Sequence, residues 1–139
     1  MEPLNRKARP GLGFPPWTRL HKGADFRAVF ENRCCSSEGW LAVHGRPNGL
    51  AYSRFGSSVG KRLVGNNIRR NRVRRMLREA IRLTRGQMPS GLDLVLTSRR
   101  GGIPQWDELL ATLPKLVDQV RLRLEARALR KPRPGSEGR

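Results

Sequence analysis

The stretch 61-KRLVGNNIRRNRVRRMLREAIRLTR-85 sets the reading of the whole chain. It holds ten Lys or Arg residues against one carboxylate, Glu79. On a helix of about 3.6 residues per turn, Val73, Met76, Leu77, Ala80, Ile81 and Thr84 form one stripe. Arg74, Arg78, Arg82 and Arg85 flank it, Arg72 and Arg75 lie further round, and Arg70 sits at its edge. One face suits docking on a sheet; the other is almost pure guanidinium. A solvated amphipathic helix ordinarily mixes charge signs, because like charges at i, i+4 repel. Here the acids are missing, which favours a bound polyanion over a bare surface. A membrane-surface helix is disfavoured, since the apolar stripe lacks Trp and Phe.

The approach to this helix carries a second signal. Gly65, Asn66 and Asn67 precede it, with Lys61 and Arg62 just upstream. Free N–H groups at a helix start attract anions, and Asn66 can cap the helix or contact phosphate. Asn71 is a mediocre helix former inside an Arg run. That placement fits either tolerated surface polarity or a hydrogen-bonding role against RNA between two Arg forks.

The rest of the chain agrees in charge. Its 139 residues carry 29 Lys and Arg against 11 Asp and Glu, a net charge of +18. Such an excess points to a phosphate-rich partner. The two cysteines, Cys34 and Cys35, are adjacent and offer neither an evident bridge nor a zinc set, so a reducing, cytoplasmic setting is expected. No apolar run reaches the roughly 18 residues of a membrane span.

Residues 1–19 and 130–139 are rich in Pro, Gly and Arg without periodicity and are read as a flexible basic arm and a basic tail. Between them, residues 20–129 make one domain. A short helix is expected over 23–32, capped by Asp25, with Phe26, Val29 and Phe30 on one face. Strands are expected over 40–44 and 51–60, paired as a hairpin through 45-GRPNGL-50. The basic helix runs from about 67 to 85, a buried strand over 92–98, and a last helix over about 104–128, kinked at Pro114. The order predicts an α+β fold around one small sheet. In strand 40–44, Leu41 and Val43 share one face and Trp40, Ala42 and His44 the other.

The run 70-RNRVRR-75 with the following MLREAIR resembles the signature of the bacterial ribonuclease P protein subunit. The family's basic pair, Gly and R-N-R-x-[KR]-R-x-x-R-E pattern match Lys61-Arg62, Gly65, Arg70-Asn71-Arg72, Arg74-Arg75 and Arg78-Glu79. Three further family patterns occur in order: Asp25, Phe26, Val29 and Phe30; 56-GSSVGKR-62; and 91-GLDLVL-96.

The resemblance implies a sandwich with one sheet of about four strands, three helices and a left-handed βαβ crossover around the Arg-rich helix. It implies a catalytic RNA partner, one protein per RNA, gripped through Lys61, Arg62, Asn66, Arg70, Asn71, Arg72, Arg74, Arg75 and Arg78. It also implies a cleft for the 5′ leader of precursor tRNA, carried over to Phe26, Phe30, Ala42 and His44. The hydrolysis would belong to the RNA and its Mg²⁺ ions. The sequence shows no protein catalytic constellation: His21 and His44 have no acid–base partner nearby, and Asp25, Asp93, Asp107 and Glu108 suit capping or surface roles. A ribosomal-type RNA-binding protein is the competing reading.

Four positions depart from the family pattern. His44 stands where an aromatic is common, Gly60 replaces a Ser, one extra residue separates Arg62 from Gly65, and Pro114 interrupts the last helix.

Overall fold

A computed structural model describes residues 18–130. The expectations for residues 1–17 and 131–139 lie outside the described residues. The elements are α1 (Gly23–Glu31), β1 (Cys35–Glu38), β2 (Leu41–Pro47), β3 (Arg54–Ser58), α2 (Lys61–Val64), α3 (Asn67–Thr84), β4 (Leu92–Ser98) and α4 (Trp106–Arg130). A 3-10 turn, Arg85–Gln87, follows α3.

The four strands form one mixed sheet in the order β1-β2-β4-β3. β1 and β2 pair antiparallel, as do β2 and β4, while β3 runs parallel to β4. The basic helix therefore lies within a parallel crossover from β3 to β4.

The expected hairpin between residues 40–44 and 51–60 does not form. β4 takes the place between β2 and β3, because Leu92 through Leu96 are buried without a break. Such a run is satisfied only inside a sheet covered on both faces. The 45-GRPNGL-50 segment instead wraps around the start of β4. Asn48 N–H donates to the Gly91 carbonyl at 3.0 Å, and its side-chain amide reaches Asp93 Oδ1 at 3.0 Å.

The missing partner of β2 is β1, a strand the sequence reading left out. Its residues, Cys-Ser-Ser-Glu, have little β-propensity, and Gly39 at φ +61° makes the tight turn.

Alternation decides what each face holds. Leu41, Val43, Phe55, Leu94 and Leu96 enter the main core with Val73, Leu77, Ala80 and Ile81 of α3 and the α4 stripe from Leu109 to Leu124. On the opposite face α1 packs Val29 and Phe26 against Val95 and Leu20. Trp40 breaks the expected pattern: it precedes β2, lies in the main core and donates from its indole to the Gly102 carbonyl.

Helix α1 starts at Gly23 as expected, but Asp25 sits in its first turn rather than capping it, and two boundaries moved. α4 starts at Trp106, where the Gln105 side chain accepts from Glu108 N–H, and it remains one helix through Pro114. At the front of the domain Thr18 is fully buried, and Leu20 N–H donates to the Phe55 carbonyl at 2.8 Å on the outer edge of β3.

Candidate nucleic-acid interface

Helix α3 begins as the sequence predicts. The Asn66 side chain caps it by accepting from Arg69 N–H at 3.0 Å. Val73, Leu77, Ala80, Ile81 and Thr84 are buried, and arginines dominate the exposed surface, which also carries the apolar Ile68 and Leu83. Its one acid, Glu79, is taken by Arg82 at i+3, whose hydrogen bond holds the carboxyl below its ordinary pKa. Arg69, Arg72, Arg75 and Arg78 are exposed and have no carboxylate partner among the described residues. Arg62 is exposed on α2.

The R-N-R triplet separates into different jobs. Arg70 is half-buried: its Nε donates to the Val59 carbonyl at 3.2 Å and its Nη1 to Asn67 Oδ1 at 3.2 Å. It ties the first turn of α3 to the end of β3. Asn71 accepts from Arg74 Nη1 at 3.0 Å, so the odd amide orients a neighbouring guanidinium. Arg72 projects into solvent as an exposed cation.

The predicted cleft residues gather on the α1 face of the sheet. Phe30 is 38% exposed and meets the His44 ring edge-on, with centroids 4.9 Å apart. His44 Nε2 lies 3.2 Å from Thr97 Oγ1 and 3.9 Å from Cys35 Sγ. Burial pushes the His44 pKa below its ordinary value. Ala42, 5% exposed, contributes floor rather than contact area. Phe26 lies over β3, where a Cβ on Gly56 would come within 2.6 Å of its ring.

Phe26 also opens into a groove of about 240 Å³ that the sequence reading did not foresee. Its walls include Phe26, Gly56 and Ser57 on one side and Arg74, Leu77 and Arg78 of α3 on the other. The basic helix and the aromatic helix thus border a single concave surface at the β3 edge. Guanidinium forks match phosphate oxygens, and aromatic faces accept bases. No sequence spacing signals this meeting, because α1 and α3 come together only around the sheet.

Several carboxylates are engaged in ion pairs away from this surface, Asp93 above all. Asp93 is completely buried and accepts from Arg54 Nε at 2.8 Å and Nη2 at 2.7 Å, with Arg46 Nη2 at 3.4 Å. Burial alone would raise its pKa, but the bonds from Arg54 and Asn48 outweigh it and hold the group low. Among the described residues no three His, Cys, Asp or Glu side chains are grouped to hold a metal ion. Cys34 and Cys35 are both free thiols. No helix among the described residues is long and apolar enough to cross a membrane.

Comparison with known proteins gives concordant matches. A family model described as Ribonuclease P matches residues 14–121. A ribonuclease P protein component from Methylococcus capsulatus is 40% identical over 89 residues, spanning 64% of this chain and 69% of that one. The one from Caldanaerobacter subterraneus is 34% identical over 107 residues, covering 76% and 90% of the two chains. Among solved structures, the Staphylococcus aureus RNase P protein superimposes with a TM-score of 0.65 at 22% identity, covering 75% of this chain and 95% of the other. The Thermotoga maritima RNase P protein gives 0.55 at 26% identity, covering 83% and 97%.

Proposed function

The chain belongs to the ribonuclease P protein family, and on that footing we propose that α3 holds the ribonuclease's catalytic RNA while the α1 face of the sheet receives the 5′ leader of precursor tRNA. Membership makes the chain a protein component of a tRNA-processing ribonucleoprotein and sets aside the ribosomal-type reading. The observation that carries the proposal is the unopposed guanidinium face of α3, bordering the same groove as Phe26. Arg62, Arg72, Arg75 and Arg78 would meet RNA phosphates, with Asn66 and Asn71 in the same surface. Arg70 and Arg74 are held in place by hydrogen bonds within the protein. Phe30 and His44 offer stacking surface to an unpaired base.

In this reading the leader is removed by RNA-borne Mg²⁺ chemistry and the protein supplies binding and orientation. The engagement of Asp93, Glu79, Asp118 and Glu125 in ion pairs supports it. One protein per RNA and a cytoplasmic location complete the proposal.

The test is reconstitution with the catalytic RNA of the same organism at low Mg²⁺. Added protein is expected to accelerate 5′ cleavage of precursor tRNA; no acceleration would overturn the reading. Arg72→Ala should weaken affinity for the catalytic RNA. Phe30→Ala should instead reduce the preference for precursor over mature tRNA, and it suits this test better than Phe26, which is packed into the α1 cluster.

A further inference from the structure

The loop after β4, 99-RRGGIPQ-105, carries two arginines that the α3 surface does not include. It is braced on two sides. Arg99 N–H donates to the Trp40 carbonyl at 2.7 Å, and Arg99 Nη1 reaches the Gly39 carbonyl at 3.4 Å. The buried Trp40 indole donates back to the Gly102 carbonyl at 3.1 Å. Across the loop, Gly102 N–H donates to the Leu63 carbonyl of α2 at 3.2 Å. A Cβ on Gly101 would lie 2.8 Å from that same oxygen, and Gly102 holds φ +80°. Both glycines are therefore required by close backbone approach and by conformation.

The bracing sets the backbone of the loop at Gly101 and Gly102 against α2 at Leu63, so residues flanking that contact carry exposed cations. The loop presents Arg100, α2 presents Arg62 and the first turn of α3 presents Arg69, all exposed. Among the described residues none of the three has a carboxylate at ion-pair distance. The Glu108 carboxylate lies against Gly39, whose carbonyl Arg99 contacts. A rigid loop that holds unneutralised charge next to an already basic helix gains most from an anion that spans both.

We infer that the RNA-contacting surface extends from α3 across α2 onto this loop, with Arg100 meeting a backbone phosphate and Arg99 positioning the loop. The inference rests on the reading of α3 as an RNA-binding helix and names a further part of the same interface. Charge complementarity and continuity with α3 select structured RNA as the occupant. The exposed apolar side chains of these three segments, Leu63 at 47%, Ile68 at 78% and Ile103 at 36% exposure, alternate along the chain with Arg62, Arg69, Arg99 and Arg100. They fit beside ribose in a phosphate-dominated contact better than in a lipid surface.

The experiment measures affinity of the full-length protein for the catalytic RNA across a series of KCl concentrations. Arg100→Ala should bind several-fold more weakly at low salt, and its plot of log affinity against log salt should be shallower by about one unit. Arg100→Lys should retain the wild-type slope. Gly101→Ala, which changes no charge, should reproduce the Arg100→Ala loss if loop position matters; thermal melts followed by circular dichroism check that it folds. If it does not fold, the Arg100 pair still decides. Arg121→Ala, on a side chain already paired with Asp118 and Glu125, should leave affinity and slope unchanged. An unaltered slope in Arg100→Ala, while Arg72→Ala lowers it, overturns the inference and leaves the α3 reading standing. If neither variant alters the slope, the α3 reading itself falls. Loss of binding to phosphatidylglycerol vesicles without loss of RNA affinity would assign the loop to lipid and overturn the inference.

Discussion

Asp93 shows how one residue holds several segments together. Its buried carboxylate is shared by Arg46 of β2, Arg54 of β3 and Asn48 of the connecting loop. Removing it would leave Arg46 without its anion and Arg54 with only the more distant Asp25 at 3.9 Å, so Asp93→Ala should cost about 3 kcal/mol in urea unfolding. Its pKa is held below the ordinary 3.8, so its stabilisation is complete above that value and is lost as pH falls through the lower, folded-state pKa. Asp93→Asn should flatten this acid limb. His44 acts with the opposite charge logic. Burial lowers its pKa from 6.5, so below that value the unfolded chain binds the proton more readily and folding stability declines. Comparing urea midpoints at pH 7 and pH 5 tests this: His44→Phe should show a smaller decline than the wild type. The role of Asp93 was not legible in the sequence, where a lone Asp in an apolar run looks like a cap or surface residue. Only the strand register places it opposite Arg46 and Arg54.

At the scale of elements, periodicity was a good guide to α3 and a poor guide to pairing. The helix and its buried stripe follow from 3.6-residue spacing alone, and Asn66 caps it where the sequence placed a cap. The partner of β2 could not be read this way, because the turn-like 45-GRPNGL-50 fits a hairpin and equally fits a longer path around β4. What decided it was burial on both faces of Leu92–Leu96. The seat of α1 depends in turn on Gly56, because its ring-facing side is filled by Phe26 and Leu20. Gly56→Val should displace Phe26, destabilise the domain by about 2 kcal/mol by overpacking, and reduce leader discrimination in cleavage assays. Unchanged stability and discrimination would show that α1 adjusts freely.

For the whole molecule, the dominant fact is a net charge of +18 carried on a small core. Self-repulsion opposes compaction, and anions that bind the folded state relieve it. Sulfate or phosphate should therefore raise the melting temperature more than chloride at equal ionic strength, with helix content rising most in buffers that began salt-free. Equal effects of the three anions would mean that general screening alone is at work. The sequence by itself determined the polyanion partner, the amphipathic basic helix and the family motifs, because charge and local spacing are properties of neighbouring residues. Tertiary structure alone decided that β1 exists as the partner of β2, that β4 is central, and that Phe26 shares a groove with Arg74 and Arg78. The physical reason is that strand order and the meeting of helices depend on which surfaces must be buried together, over separations that no local pattern records.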